Sequence, residues 1–361
     1  MGPTPAREQR TAILISSPFL MTREEFAAKI SELVPTIEAG LEQWALPQCE
    51  PIANLDDGVR YALGLDVKEP THRGKRLRPA LAILTCEALG GQTSQALPFA
   101  IGVELMHNYF LVHDDIEDGD TMRHGRPSVW KQFGVANAIN IGDYLYGRVV
   151  PVVLRSLELG ADSTVVLRLL TLLAETFDHT ARGQALDMNA RSSLDLTVER
   201  YLATVTEKTG HYLAAPLIGG AILAGADNSL VDDIRAYGSL LGPMYQIVDD
   251  LIDLTENKGR GERGADIAEG KRSFMVAFAL SRLDRSSRQE LLAILDCPRD
   301  QTSPDEVARA IGLLEQCGAI ACARQTVRDL AERALRLVQT MPHRLSQLLV
   351  GLTNFLETRT R

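Results

Sequence analysis

Cysteine is scarce in this chain of 361 residues, and its few cysteines are not paired in sequence. They are Cys49, Cys86, Cys297, Cys317 and Cys322. Their odd number and irregular spacing exclude a secreted disulfide scaffold and a zinc site built from cysteine pairs. We therefore predict reduced thiols that lie mostly in the core, and a cytoplasmic protein.

Long hydrophobic runs and an excess of basic charge are missing as well. The apolar run Tyr212–Ala226 has 15 residues and contains Pro216, whereas a membrane span needs about 20. We predict a buried helix there and no transmembrane segment. The apolar stretch Ala12–Met21 is short and broken by proline, so we expect no targeting signal. The formal charge of −9 excludes a general nucleic-acid binder, which needs basic surface.

Strand signals are also absent, and helical patterns fill the chain instead. Strict two-residue alternation of apolar residues is scarce. Thr22–Glu25 matches a capping box, and apolar residues then follow at helical spacing. No linker rich in proline, glycine or serine divides the rest. We predict an all-α fold in one large helical-bundle domain over residues 21–361, after a flexible N-terminal arm over residues 1–20.

Two acidic clusters stand out against these absences. The pattern D-D-x-x-D occurs at Asp114–Asp118 and again at Asp249–Asp253, each time after an apolar helical run. Residues four apart share a helix face, so carboxylates lie side by side, and each such pair costs about 0.2–0.5 kcal/mol. One cluster alone is usually a solvated helix end. Two copies in the same order indicate sites for divalent cations.

The type of cation follows from the ligands that the sequence offers. A calcium loop starting at Asp114 would need a carboxylate at its third and twelfth positions, which are Ile116 and Gly125. No His-Glu-x-x-His motif supports zinc. A few carboxylates on rigid helices suit Mg2+, which completes its shell with waters and substrate phosphates. We therefore predict Mg2+ as the cofactor.

Basic segments alternate with the acidic clusters along the chain. The groups are Lys75 to Arg78, Arg123 with Arg126, Lys208, a glycine-rich basic stretch from Lys258 to Gly264, and Lys271-Arg272. No glycine-rich phosphate loop of the P-loop or dinucleotide-binding type is present. Phosphates would then be held by metal and by arginine or lysine side chains. This combination predicts two polyanionic groups in one site.

These segments, taken in order, resemble the trans-type isoprenyl diphosphate synthases, also called polyprenyl synthetases. The shared segments run from Gly74 to Arg272 and comprise GKRLRP, DDIED, Arg123, GQALD, Lys208-Thr209, QIVDDLID and EGKRS. The resemblance implies helices around a deep central cavity, a homodimer, and three Mg2+ per active site. It also implies condensation of an allylic diphosphate with isopentenyl diphosphate.

The resemblance assigns roles to residues of this sequence. Direct Mg2+ ligands would be Asp114, Asp118 and Asp249. Acidic groups beside them, or bound through water, would be Asp115, Asp250 and Asp253. The allylic diphosphate would be held by Arg123, Lys208 and Lys271. Isopentenyl diphosphate would be held by Lys75, Arg78 and His107. Residues at the reacting centre would be Thr209 and Gln246, next to Lys208.

Two positions depart from the family pattern. His124 stands where the family usually has a second arginine, so a group only partly charged near neutral pH would help to bind isopentenyl diphosphate there. A family lysine after the second acidic cluster falls at Gly261, and Lys258 or Arg260 are the candidates to replace it.

Some residues near these motifs receive more ordinary interpretations. We expect Glu117 and Asp120 to form a solvated face, and Arg359 to lie in a solvated tail. His113 and His211 are interpreted as local hydrogen-bonding residues. Gln184 and Asp187 remain open between a supporting role in the site and none.

Product length is predicted from the aromatic pair before the first cluster. Tyr109 lies five residues before Asp114, which is roughly 7.5 Å along a helix. In the family, bulk at this place forms a floor under the growing chain. Tyr109 and Phe110 therefore predict a short all-trans product, C15 to C20 with C15 favoured.

Two other functions stay open at this point. A terpene synthase of the same fold would ionise and cyclise a prenyl diphosphate, and would need no isopentenyl diphosphate site. A non-catalytic subunit of a heteromeric synthase would show damaged acidic clusters.

Overall fold

The computed structural model describes residues 21–47, 50–67, 73–191, 196–255 and 263–359. Helices dominate these residues, and the strands described are the two of a short antiparallel hairpin, β1 Met122–Arg123 and β2 Arg126–Pro127. The predicted all-α fold is confirmed. The predicted arm over residues 1–20, Cys49, Lys258, Arg260 and Gly261 lie outside the described residues.

The helices are numbered here in chain order. The first eight are α1 Arg23–Trp44, α2 Asp56–Ala62, α3 Leu77–Ala88, α4 Thr93–Glu117, α5 Val129–Phe133, α6 Val135–Glu158, α7 Ser163–Ala190 and α8 Val198–Val205. The other eight are α9 His211–Leu223, α10 Asn228–Thr255, α11 Ala265–Ala268, α12 Phe274–Arg282, α13 Arg285–Leu295, α14 Pro304–Gln316, α15 Ala319–Val338 and α16 His343–Glu357. A π-helical turn over Thr206–Gly210, called the π-turn below, joins α8 to α9.

Helix boundaries follow local sequence signals. Thr22 and Glu25 exchange side-chain and backbone hydrogen bonds, so the predicted capping box at the start of α1 is present. A second capping box between Ser303 and Glu306 begins α14, where Pro304 occupies the first turn without losing a needed hydrogen bond. These caps satisfy backbone N–H groups that a helix start leaves unpaired.

The centre of the molecule is formed by helices without a solvated face. The apolar run predicted as a buried helix forms α9, in which every residue from Tyr212 to Ile222 is buried. It packs against α3, α7 and α10. The buried apolar residues form a connected cluster that extends from Phe26 in α1 to Leu356 in α16. No helix in the described part of the chain is long and apolar enough to cross a membrane.

Small residues set the closest helix contacts. A methyl group at Gly220 of α9 would lie 2.3 Å from the carbonyl oxygen of Ala82 in α3. One at Gly183 of α7 would lie 2.3 Å from the backbone nitrogen of Lys208. The close approach of α7 to the π-turn therefore depends on a missing side chain, and it fixes where Lys208 can lie.

The cysteines are consistent with a chain without disulfides in the described residues. Cys86, Cys297, Cys317 and Cys322 are free. Cys86 is buried in α3, and burial raises the pKa of its thiol to about 11, which makes it unreactive. The other three are only half-buried. Of the four described cysteines, only Cys86 therefore has the fully buried core position predicted for most of them.

We expect Gly220→Ala to lower the free energy of unfolding by roughly 1–3 kcal/mol, because the added methyl group collides with backbone that cannot rotate away. Gly312→Ala in α14 is the matched control, since open space surrounds its added methyl group and alanine favours a helix by up to about 1 kcal/mol. Urea unfolding of both variants checks this. Equal stability of the two variants would contradict the packing argument.

Candidate active site

A cavity of about 780 Å3 opens among α3, α4, α7, α9, α10 and the hairpin. It is lined by carboxylates, by cationic groups and by aromatic side chains. Segments remote in sequence meet on its wall, since Lys75 and Arg359, which are 284 residues apart, both line it. The structure thus brings both acidic clusters and the basic segments Lys75–Arg78 and Lys208 to one place.

The first acidic cluster lies at the end of α4. Asp114 occupies the last turn and Asp118 is the residue that ends the helix, so both carboxylates line the cavity. Asp115 also borders the cavity but is only 1% exposed, and both of its carboxylate oxygens accept from Arg123 Nε, at 2.7 and 2.8 Å. Arg123 therefore orients the first cluster, besides lining the cavity where the allylic diphosphate was predicted.

The second acidic cluster lies near the end of α10. Asp249 lines the cavity, whereas Asp250 and Asp253 are buried behind it. Asp250 accepts hydrogen bonds from Tyr201 Oη at 2.8 Å, Gln246 Nε2 at 3.0 Å and Lys271 Nζ at 3.1 Å. Asp253 Oδ2 accepts from the backbone N–H of Asp266 at 3.1 Å. Asp250 and Asp253 thus hold the site together from the protein side.

Electrostatics couple the π-turn to the first cluster. Lys208 Nζ donates to Asp187 Oδ2 at 2.8 Å. Burial disfavours the charged amine, but Asp187 and Asp114 outweigh it and raise the pKa of Lys208. Burial also raises the pKa of Asp114 to about 6, with Lys208 opposing and Asp118 reinforcing the shift. Asp187, left open by the sequence, is therefore part of the site's charge network.

Three of the carboxylates on the cavity wall fit a Mg2+ site by their chemistry. Asp114, Asp118 and Asp249 are oxygen donors carried by two rigid helices and face shared space. Each is placed against positive charge within the protein: Lys208 acts on Asp114, Arg191 pairs with Asp118, and Arg359 Nη2 lies 3.0 Å from Asp249 Oδ1. A wall whose negative charge has to be offset by cationic side chains is also suited to bind metal cations.

A second part of the wall, called the cationic wall below, carries Lys75, Arg78 and His107, while the nearby Glu104 carboxylate is paired with Arg76. Arg78 stacks over the Tyr212 ring at 4.4 Å and contacts His107 Nε2 at 3.3 Å. Burial, and then the charges of Arg78 and Arg123, keep the pKa of His107 well below its ordinary value, so its ring is neutral. Nε2 then accepts from Arg78, and Nδ1 carries the proton. Nδ1 is buried and has no hydrogen-bond partner among the described residues.

The basic segment before α3 is divided between structure and cavity. Arg76 is buried, donates from Nη1 to Glu104 Oε1 at 2.8 Å and from Nη2 to the carbonyl of Leu63, and adopts a left-handed backbone with φ 50°. It locks the segment onto α4, so that Lys75 and Arg78 line the cavity.

His124 lies at the tip of the hairpin, in the left-handed conformation with φ 51°, and is followed by Gly125 with φ 74°. Two consecutive positive φ values are typical of tight hairpin turns. Arg126 anchors the hairpin by pairing with Asp66 at 2.6 and 2.9 Å and by stacking on Tyr61 at 3.7 Å. The hairpin thus places His124 on the cavity wall.

Two expectations from the sequence are wrong. Asp120 is 4% exposed and pairs with Arg299 Nη1 at 3.0 Å. Arg359 is not in a solvated tail, since it binds Asp249 and stacks on Tyr245 at 4.3 Å. In both cases a partner remote in sequence neutralises the charge. The exposed place expected for Glu117 is confirmed, although its Oε2 also accepts a hydrogen bond from Gln184 Nε2 at 2.6 Å.

The interpretations given to Gln184, His113 and His211 from the sequence have different outcomes. Gln184 is buried and lines the cavity, so it lies where a residue that supports the site would lie. His113 Nε2 lies 3.5 Å from Asp143 Oδ1 but makes no hydrogen bond within the described residues, so the hydrogen-bonding role expected for it is not found. His211 stacks on His179 at 3.7 Å between ring centroids and borders a small cleft next to Gly210.

An aromatic cluster closes one end of the cavity. Phe110 lines the cavity and packs on Phe177 at 5.4 Å and on Tyr212 at 5.4 Å between ring centroids. Tyr109 lies behind it, 5.2 Å from Tyr146 and 5.6 Å from Phe177. The predicted pair is thus part of a larger group, and it is apolar and packed, as a floor would be.

Sequence reasoning missed several residues that the site depends on. Arg191 and Arg299 bind acidic residues from segments without any motif. Phe177 and Tyr146 complete the aromatic cluster. Tyr201 is the buried hydroxyl on Asp250, and burial raises its pKa well above the ordinary value, so that it stays a donor. Of these residues, only Phe177 could have been found from the sequence, because it lies at helical spacing before the GQALD segment in α7.

Comparison with known proteins agrees with these features. A family model described as polyprenyl synthetase matches residues 67–314. The short chain isoprenyl diphosphate synthase of Methanothermobacter thermautotrophicus is 36% identical over 263 residues, which are 72% of this chain and 78% of that protein. The geranylgeranyl diphosphate synthase of Methanosarcina mazei is 34% identical over 250 residues, 68% of this chain and 74% of that one.

Solved structures show the same fold. The crystal structure of geranylgeranyl pyrophosphate synthetase from Pyrococcus horikoshii superposes with a TM-score of 0.81 at 29% sequence identity. The match covers 93% of this chain and 99% of that one.

Proposed function

The chain belongs to the polyprenyl synthetase family, and we propose that it is a Mg2+-dependent prenyltransferase that joins an allylic diphosphate to isopentenyl diphosphate. The observation that carries this proposal is one cavity with two carboxylate clusters at one end, a separate cationic wall, and an apolar floor. The proposed product is a short-chain all-trans prenyl diphosphate of C15 to C20, and the proposed place of action is the cytoplasm.

The carboxylate end would receive the allylic diphosphate. Asp114, Asp118 and Asp249 would hold Mg2+, three ions in the proposed site, and this metal supplies stabilisation of negative charge on a leaving diphosphate. Lys208 and Lys271 provide further positive charge at fixed positions, because Asp187 and Asp250 hold their amines. Arg123 reaches the same wall, with its orientation set by Asp115.

The cationic wall would receive isopentenyl diphosphate. Lys75 and Arg78 offer charge, and the neutral ring of His107 holds the Arg78 guanidinium in place through Nε2, since its own Nδ1 is buried. His124 at the hairpin tip would add a hydrogen bond, or a charge at lower pH. Arg78 cannot swing freely, because Tyr212 and His107 fix its plane.

The reaction would take place between these two ends. The allylic C–O bond breaks with both electrons going to the diphosphate, and the double bond of isopentenyl diphosphate attacks the resulting carbocation. A proton is then lost, in this proposal to the departing diphosphate. Thr209 and Gln246 lie on the wall at this place. Phe110 and Tyr212 exclude water from the apolar part.

Two alternatives have less support. A terpene synthase would not require a second cationic wall, yet Lys75, Arg78 and His107 form one here. A non-catalytic subunit would not require intact clusters, yet the carboxylates Asp114, Asp118 and Asp249 all reach the cavity. Condensation uses both features.

The function is tested by incubating the protein with Mg2+ and with dimethylallyl, geranyl or farnesyl diphosphate, each with and without isopentenyl diphosphate. We expect products only when isopentenyl diphosphate is present. A hydrocarbon or alcohol formed without it would show a terpene synthase, and no product from any substrate would show a non-catalytic protein.

Lys271→Ala gives a matched test of the site. We expect a loss of roughly 100-fold in turnover, by analogy with removal of one preorganised charge-stabilising group. Lys29→Ala on the exposed side of α1 removes an equal charge outside the cavity and should leave turnover unchanged. Circular dichroism confirms that both variants fold. Equal rates would remove Lys271 from the mechanism.

We expect Tyr109→Ala combined with Phe110→Ala to lengthen the product beyond that of the parent protein. Removing both rings opens the floor between the cavity and Phe177, so the growing chain can pass. Product length is read by chromatography of the dephosphorylated alcohols. Phe278→Ala in α12, away from the cavity, is the control. An unchanged length in the double variant would contradict a floor at this place.

The proposed homodimer is supported by an apolar stripe on α6. Large apolar residues are exposed there at helical spacing: Val135, Ile139, Tyr146, Val150, Leu154 and Leu157. Neighbouring α7 adds Leu167, which is 64% exposed. A continuous apolar stripe of this kind is typical of an interface, and a second copy of the chain is the proposed occupant.

Val150→Glu should convert the dimer into a monomer, because a charge buried without a partner in an interface costs several kcal/mol. Light scattering coupled to size-exclusion chromatography measures this. Ile52→Glu alters an equally exposed apolar residue outside the stripe and should leave the dimer intact. A parent protein that is monomeric at micromolar concentration would refute the proposed dimer.

A further inference from the structure

A second group of metal-type donors lies at the π-turn, outside the lining of the active-site cavity. His179 of α7, Glu207 of the π-turn and His211 at the start of α9 place their potential ligand atoms within 4.8 Å of one another. His179 Nδ1 and Glu207 Oε2 are 2.7 Å apart. All three side chains are half-buried, so an ion can reach them without unfolding the helices.

We propose that His179, Glu207 and His211 form a binding site for a transition-metal dication of the Zn2+ or Ni2+ type, separate from the Mg2+ site. Two imidazoles and one carboxylate are a donor set that Zn2+ takes in proteins. Imidazole favours such ions over Mg2+, which prefers oxygen ligands alone. The proposal goes beyond the proposed prenyltransferase activity and does not depend on it.

The surroundings leave room for one water molecule beside the two imidazoles. A cleft of about 10 Å3, enough for about one water molecule, lies against both rings and is lined also by Thr176, Gly210 and Ser239. Glu175 borders the same cleft and adds a nearby negative charge. Arg235 borders the cleft and Arg182 acts on Glu207, so an ion has to bind against these positive neighbours.

The two rings need a small adjustment to share an ion. They stack at 3.7 Å with an angle of 5° between their planes, so their lone pairs now lie in parallel planes. Ligand atoms on one Zn2+ lie roughly 3.3 Å apart, since each Zn–N bond is about 2.0–2.1 Å. Rotation of one ring about its Cβ–Cγ bond brings the nitrogens toward a common point. Burial and then the neighbouring His179 lower the pKa of His211, so a neutral ring is available as a ligand.

Occupancy of this site would tie two elements that the active site depends on. His179 belongs to α7, which also carries Asp187, while Glu207 precedes Lys208 in the π-turn. Backbone of the turn already lies against Gly183 of α7. An ion shared by α7 and the turn would therefore add a second link between them, besides the pair formed by Lys208 and Asp187.

The site is tested by metal binding at equilibrium, without reference to activity. The metal-free protein is dialysed against micromolar ZnCl2, and separately NiCl2, in millimolar MgCl2, so that Mg2+ competes at the carboxylate clusters. Bound Zn2+ or Ni2+ is counted per chain for the parent, His179→Gln, His211→Gln and Glu207→Gln. His343→Gln, an exposed histidine at the start of α16, is the matched control.

We expect the parent and His343→Gln to bind one more Zn2+ per chain than the two variants at His179 and His211, or to bind it at least tenfold more tightly. Glu207→Gln should weaken binding less than either histidine variant. Zn2+ should also raise the melting temperature of the parent but not that of His211→Gln. Equal binding by the parent and both histidine variants would overturn the proposal. So would loss of the same ion in His343→Gln.

A Co2+ titration identifies the ligands if a variant is unstable. Co2+ in a four-coordinate site with imidazole ligands absorbs visible light far more strongly than Co2+ surrounded by six oxygens. We expect this absorption in the parent protein under the same MgCl2 excess. Spectra of the six-oxygen type alone would place all bound Co2+ at carboxylates and refute the site at the π-turn.

Discussion

Charge compensation within a partly buried cavity is the constraint on which the rest of this structure depends. Carboxylates that gather to bind cations repel one another, and burial adds the cost of lost hydration. The chain offsets both costs with side chains from distant segments: Arg191 reaches Asp118, Arg359 reaches Asp249, and Lys208 reaches Asp187. The helices have to bring these partners together, so the packing of α7, α10 and the π-turn is inseparable from the electrostatics of the site.

The same cavity contains two kinds of carboxylate that differ in their freedom to change partners. Asp115 and Asp250 are almost completely buried, and fixed donors satisfy them from the protein side. Asp118 and Asp249 are bound by arginines whose long side chains line the cavity. Ion pairs at a cavity wall can be exchanged for a metal ion at modest cost, because the released guanidinium remains near solvent or substrate phosphate. A rigid inner layer thus supports an adaptable outer one.

The fold and the motif residues could be predicted from the sequence because both depend on local patterns. Helical spacing and the capping box identified α1, and the repeated acidic pattern identified two segments that do meet in space. The errors at Asp120 and Arg359 have a common physical origin. Arg299 lies 179 residues from Asp120, and Arg359 lies 110 residues from Asp249. Local sequence shows that a charge is present, but only tertiary packing shows which opposite charge covers it.

The π-turn makes the length of this segment as important as its composition. Hydrogen bonds to the fifth residue back give the turn one residue more than an α-helical turn holds. Each residue of an α-helix advances the side-chain direction by about 100°. Loss of a single codon between Thr206 and Gly210 would therefore leave an ordinary α-helical turn, with α9 still in register but with the side chains of the turn itself, Lys208 among them, in new directions. The same loss inside α9 would instead rotate every side chain that follows it by more than a quarter of a turn.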